Sequence, residues 1–462
     1  MDRTTYAHRG VSALVEAHFV AVRVDADRRP DLNERYNLGG WPTTAFLTSD
    51  GEVLSGGTYI GADEMVVTLQ QVSDAWRSHA AEIRARAAAS SSADRRNLGR
   101  STAPDPGAVD HVRSVLIERF DPTHGGFGAS PKLPHTSAIM LAVSLAAEEH
   151  HDPDSVLARM VDVTLKSMSA LWDPDGGGFH RYADGQDWSR PGAEKTLEDN
   201  AALLHVYVEA AVRRGSDEFR DRAAQIVRWV KGTLADRSGG GFYNAQAGGF
   251  IDRSMYVDRN ADMVSAFLRA AALFEDPWLR DFALKSLETV VLPGYRPGGG
   301  VGHFTDEQDP EGSVSGLLTD QIRVAAALIW AHAVTERLPY SMLAAELAQF
   351  TIRTMWDEQA ERFRDRAPSG SQMELGLLRE AVMPFELNCE AACVLDRLAA
   401  LTGDEAYRDR AVAILGSLAS EYRRRDLFGA PYALAVREVI DRRPPLGLEL
   451  AQVDWHLGTD AG

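Results

Sequence analysis

A chain of 462 residues, 45% hydrophobic and 25% charged, can bury a sizeable core and divide into two domains. Its formal net charge of -18 argues against nucleic acid or anionic membrane as a partner, and no apolar run reaches the roughly eighteen residues of a membrane helix. Met1-Asp2-Arg3 opens no apolar signal core, so a cytoplasmic protein is the expectation.

In chain order, residues 1–89 read as an α/β domain. Phe19 to Asp25, with alternating valines, reads as a strand, and Asp31 to Asn37 as a short helix. Gly39-Gly40-Trp41-Pro42 leads into a second strand over Thr43 to Thr48, and Ser49-Asp50-Gly51 turns into a third over Glu52 to Tyr59. A long helix over residues 62–89 closes the unit, and residues 90–107, rich in Ser, Arg, Pro and Gly, form a linker.

From residue 108 onward, Gly-Gly-aromatic turns return about every sixty residues. They are Gly125-Gly126-Phe127, Gly176-Gly177-Gly178-Phe179 and Gly239-Gly240-Gly241-Phe242, then weaker forms at Gly298 to Phe304, Glu361-Arg362-Phe363 and Phe428-Gly429. Each follows a helical stretch, so the unit is a pair of helices joined through a Gly-rich hairpin. Six such units close an (α/α)6 toroid over 108–443, leaving a tail over 444–462. The protein is therefore expected to be mainly α, its hairpins gathered at one end around a central cleft. The two cysteines, Cys389 and Cys393, share one face of an apolar helix and read as core packing, with a redox or metal pair as the less favoured use.

Taken together, these segments resemble the thioredoxin-domain proteins of the YyaL type, related to the spermatogenesis-associated thioredoxin-like proteins. The resemblance rests on Val22-Arg23-Val24-Asp25, the Gly-Gly-Trp-Pro run, Phe120 to Pro134, Gly176 to Trp188, and Glu194-Lys195 with Asp199-Asn200-Ala201. It implies the second half of a thioredoxin fold, with Pro42 at the cis-proline position, ahead of a six-hairpin, glycosidase-like barrel. In that fold a further strand and a Cys-x-x-Cys helix come first. Residues 1–89 hold no cysteine, so the expectation is a truncated thioredoxin-like domain with a small remnant sheet and no dithiol chemistry. In the barrel, the family's Pro-His-Phe-Glu-Lys-Met-Leu-Tyr-Asp is here Pro191 to Asp199, with Gly192 for the His and Glu198 for the Tyr.

Candidate site residues follow the hairpins. His180 and Arg181 come after the best-formed turn, and Glu194, Lys195, Glu198 and Asp199 open the next helix, making the densest polar cluster. A histidine beside carboxylates can act as acid or base on a sugar, while capping and loop bonding are the structural alternative. His303 holds an analogous hairpin position and can face His180, as a two-base isomerase requires. Asp262 and Asp320 begin apolar helices, where they serve as paired carboxylates or as caps. Tyr182, Trp188 and Tyr256 offer a stacking platform or core packing. Lys132 and His135 lie in a family-matched run at the expected mouth. By the resemblance, Asn200 and Asn260 complete a substrate-binding set with Arg181 and Lys195.

No Walker A, Rossmann fingerprint, zinc spacing or nucleophile elbow appears, so no cofactor and no metal are expected. Three function classes remain open: a sugar epimerase, hydrolase or lyase; a non-catalytic sugar-binding or regulatory protein derived from one; and a thiol protein, should a Cys-x-x-Cys segment lie upstream. The expected partner is a small molecule or oligosaccharide.

Overall fold

The computed structural model describes residues 1–40, 42–94, 102–149, 155–304, 314–368 and 376–445. The chain divides into two compact units, one of Met1–Gly99 with Pro368–Val382 and one of Arg100–Ala367 with Met383–Gly462.

The first unit holds helix α1 (Arg9–His18), helix α2 (Pro30–Tyr36), the hairpin β1 (Thr44–Leu47) and β2 (Val53–Gly57), and helix α3 (Ala62–Asp94). Pro30 opens α2, where a missing N–H costs nothing. The hairpin pairs Thr44 with Gly57 and Ala45 with Gly56. Gly56 is obligatory: a Cβ there would lie 2.3 Å from the Thr44 carbonyl. Val11, Phe46, Ile60, Met65 and Leu69 form the small core. The second segment is tied in by Arg35, whose guanidinium donates to the carbonyls of Leu377 (2.8 Å) and Glu380 (2.7 Å).

One expected strand is corrected. Residues 19–25 form no ladder among the described residues, and Val20 is 92% and Val22 78% exposed. Strand propensity is a packing preference, and beyond Phe19, which packs on Phe46, the run is exposed and nothing satisfies it. The expected cis-proline position turns on Trp41, which lies outside the described residues, as does most of the expected tail over 444–462.

The second unit is a ring of twelve helices among the described residues: α4 (Ala108–Arg119), α5 (Thr136–Glu148), α6 (Val156–Ser167), α7 (Leu197–Arg214), α8 (Asp217–Trp229), α9 (Val257–Phe274), α10 (Pro277–Val291), α11 (Leu318–Thr335), α12 (Leu338–Met355), α13 (Phe385–Thr402), α14 (Glu405–Leu418) and α15 (Ala430–Val439). The odd-numbered helices α5 to α15 form the inner wall, each packed on the next, and α15 returns onto α5. The even-numbered helices form the outer wall. That closure makes an (α/α)6 toroid and excludes a linear solenoid. No described helix is long and apolar enough to cross a membrane.

The two kinds of connection differ. Four of the runs from an inner helix to the next outer one are tight, with left-handed caps at Gly215, Glu275, Glu336 and Gly403. Runs from outer to inner carry the Gly-aromatic turns, which therefore gather at the N-terminal ends of the inner helices. In each well-formed turn an aspartate oxygen accepts two backbone N–H groups, as Asp173 does from Asp175 and Gly176, both at 3.0 Å. Gly178 sits at φ +84°, and a Cβ there would lie 2.4 Å from the Trp229 ring.

A repeated amide clamp holds these turns to the ring. Asn200, Asn260, Gln321 and Asn388 each stand fourth in an inner helix. Each side-chain oxygen accepts the backbone N–H of one hairpin residue, respectively Phe179 (2.9 Å), Phe242 (2.7 Å), Val301 (2.9 Å) and Phe363 (2.8 Å). The amide nitrogen donates back to the same residue's carbonyl and to a carbonyl one turn earlier. One buried amide thereby satisfies backbone groups that the short hairpins leave unpaired.

Candidate functional site

Because every inner helix begins at the hairpin end, polar residues in its first turns converge there. A cavity of about 550 Å³ opens among them, walled by Arg181, Glu198, Asp199, Asp262, Arg323 and Glu390. A second, of about 280 Å³, continues past His205, Asp262, Arg323 and Glu390 to Arg269, Trp330 and Arg397, and is also lined by Cys389 and Cys393. Both cysteines are free thiols whose pKa burial pushes well up, which makes them inert wall residues.

Arg323 is the centre of the site. Its guanidinium lies 3.0 Å from Asp262, 3.5 Å from Glu198, 3.6 Å from Glu390 and 3.7 Å from Asp258. One guanidinium cannot neutralise four carboxylates, so their mutual repulsion favours proton uptake. Burial, with repulsion from Glu390 and Asp258, holds Asp262 well above the usual carboxylate range against the pull of Arg323. Burial likewise raises Glu390.

Asp199 is a third perturbed acid. Thr196 caps α7, accepting the Asp199 N–H at 3.0 Å while its hydroxyl donates to Asp199 Oδ2 at 2.5 Å. Burial is the larger influence and pushes the carboxyl up to about 6. Arg181 reaches Asp199 and Glu194, each at 3.8 Å, so these three expected residues do come together. His205, deeper in the wall, is kept neutral by burial and by Arg269, whose Nη1 donates to its Nδ1 at 2.9 Å.

Other expected site residues belong to the scaffold. Lys132 is fully buried, its ammonium donating to Asp121 (2.9 Å) and the Gly128 carbonyl (3.1 Å). Lys195 repeats this one unit later, with Asp173 (2.8 Å) and the Gly177 carbonyl (2.7 Å). Trp188 is 1% exposed, donates to the His124 carbonyl, and covers Gly126, so it offers no stacking face. Asn200 and Asn260 spend their amides in the clamp. Tyr182 is partly exposed and packs on Gly192. His180 is half-buried, with Nδ1 lacking a partner among the described residues, and burial with the nearby Lys195 lowers its pKa. His303 does not face His180 across the cavity. It is buried against Tyr256, with Nδ1 2.9 Å from Asp320 Oδ1, and neither His303 nor Asp320 lines either cavity.

Arg323, Glu390, Asp258 and His205 are not among the residues singled out from the sequence. The available signal is position: Arg323 stands between Ile322 and Val324 in a helix that is otherwise apolar around it.

Residues 1–93 match the Thioredox_DsbH family, described as a protein of unknown function, DUF255. The mouse spermatogenesis-associated protein 20 is 26% identical over 352 residues, covering 71% of this chain and 44% of that protein. The resemblance holds. An uncharacterized Caenorhabditis elegans protein, B0495.5, is 28% identical over 276 residues, or 53% of this chain and 36% of its own length. The chain thus spans under half the length of these relatives. Among solved structures, the cellobiose 2-epimerase from Spirochaeta thermophila matches with a TM-score of 0.56 and 16% identity, over 67% of this chain and 81% of that one. A D-mannose isomerase matches at 0.58 and 13%, over 68% and 85%. A family 76 glycoside hydrolase from Bacteroides thetaiotaomicron matches at 0.52 and 12%, over 73% and 100%. At these identities the shared property is the toroid.

Proposed function

We propose that the barrel binds an uncharged sugar in its wider cavity and acts on it through carboxyl acid–base chemistry. The observation that carries this is the lining: Glu198, Asp199, Asp262, Glu386 and Glu390 against Arg181 and Arg323. An acidic wall repels phosphorylated and uronic sugars, while protonated and ionised carboxyls together donate to and accept from hydroxyl groups. Asp262, whose pKa burial holds well above the usual carboxylate range, suits the role of general acid. Asp199, titrating near 6, can take and return a proton close to neutral pH. Solved toroids named as epimerase, isomerase and glycoside hydrolase support the reading by analogy of fold.

A second reading, binding without turnover, is favoured by Gly192 and Glu198 standing where the resembled family has His and Tyr. One experiment addresses both. Neutral mono- and disaccharides, a sugar phosphate and a uronate are screened by thermal shift, and hits are followed by NMR for conversion. Saturation at about a hundredfold over Kd should stabilise by about 2.7 kcal/mol. Stabilisation by neutral sugars alone, with turnover lost in Asp262→Asn, is the expected result. Stabilisation without conversion selects the second reading, and a preference for the anionic sugars sinks both.

A further inference from the structure

One buried group has no task in that reading. Asp258 is second in α9, Asp320 is third in α11, and His303 follows the strand pair of residues 295–301. Each offers one donor atom within 4.8 Å of the others, and all three residues are buried. His303 Nδ1 lies 2.9 Å from Asp320 Oδ1 and 3.9 Å from Asp258 Oδ1. Two donors bound to one ion at about 2.0–2.2 Å and a tetrahedral angle stand about 3.4 Å apart, so the observed separations bracket a ligand set.

Two further observations point to a ligand. Asp258 Oδ1 and Asp320 Oδ2 are buried and have no hydrogen-bond partner among the described residues. Such atoms carry a full desolvation cost unless something meets them. An imidazolium would give one Nδ1–H, to Asp320 Oδ1, and leave both of those oxygens bare. A divalent cation beside a neutral imidazole would give these buried oxygens a partner. Arg323 does not meet the bare oxygen of Asp258, because its contact, at 3.7 Å, is with Oδ2.

The site is also held in shape. Val257 N–H donates to the His303 carbonyl and His303 N–H to the Val314 carbonyl, both at 2.8 Å. The imidazole lies over the Tyr256 ring at 5.3 Å. Thr319 Oγ1 donates to Asp258 Oδ2 at 3.2 Å, turning Oδ1 toward the histidine.

The geometry points to a binding site for one divalent transition cation, of the zinc or manganese class, held by His303 Nδ1 and one carboxylate oxygen each from Asp258 and Asp320. One imidazole and two carboxylates form a borderline-to-hard donor set suited to such ions. The site bridges the starts of α9 and α11, so it acts as a staple between neighbouring inner helices.

The test uses tag-free full-length protein, stripped with EDTA and dialysed, then titrated with zinc chloride in a calorimeter and melted with and without one equivalent. One saturable equivalent and a rise in Tm are expected. Asp320→Asn and Asp258→Asn should each weaken zinc at least tenfold and abolish the Tm rise. Absence of a saturable equivalent in the unmodified protein overturns the proposal, and so does undiminished binding in both variants. If one variant does not fold, the other and the unmodified protein's stoichiometry decide.

Discussion

Asn260 separates a structural role from a ligand-binding one. Its side chain accepts the Phe242 N–H at 2.7 Å and donates to the Phe242 and Tyr256 carbonyls at 3.1 and 2.9 Å. The Tyr256 carbonyl keeps the Asn260 backbone N–H at 3.0 Å, so Asn260→Ala orphans chiefly the N–H and C=O of Phe242, a fully buried residue. Two orphaned groups at about 1–3 kcal/mol each give a loss of about 4 kcal/mol. A unit of about 350 residues melts with an entropy near 0.7 kcal/mol/K, so Tm should fall by about 6 °C. Scanning calorimetry of the variant beside the parent measures it, with sugar affinity determined on both. A Tm within about 1 °C of the parent, combined with lost sugar affinity, would refute the clamp and return Asn260 to the binding site.

Asp199 gives a pH test. The folded chain holds its proton up to about pH 6, whereas the unfolded chain releases it near 3.8. The fold therefore binds more protons in that window, and stability drops as pH rises through it, by about 3 kcal/mol at most. Asp199→Asn should flatten the Tm profile between about pH 4 and 6, and identical slopes in parent and variant would dismiss the shift. Glycine supplies a steric pair. Gly126 and Gly128 share φ near +70°, but a Cβ at Gly126 would lie 2.5 Å from Trp188 while one at Gly128 meets nothing within 4 Å. Gly128→Ala should cost about 1–2 kcal/mol of backbone strain and Gly126→Ala about 2 kcal/mol more, read as denaturation midpoints; equal costs would contradict the packing.

The ring was legible because Gly-aromatic turns and apolar helices are local signals, and their period exposes the repeat. The hairpin β1–β2, helix α2 and helix α3 were legible for the same reason. The strand expected at residues 19–25 failed because pairing is decided by a neighbour, which alternation in Val20, Val22 and Val24 cannot supply. At the site, Asp199 and Asp262 were visible at helix starts. Arg323 and Glu390 were not, since a charge in mid-helix looks the same in sequence whether it faces solvent or a cavity. Asn200 and Asn260 were visible but misread: their constant place, fourth in an inner helix, becomes meaningful only beside Gln321 and Asn388.

The clamp touches only main-chain atoms of the residue it grips. Phe179, Phe242 and Phe363 are held in the same way as Val301, so the joint survives a change in the side chain it secures. A ring fastened through its backbone can let its signature letters drift, unit by unit, without losing its joinery. That tolerance accounts for the fourth turn's faded motif, where Val301 stands in the gripped place.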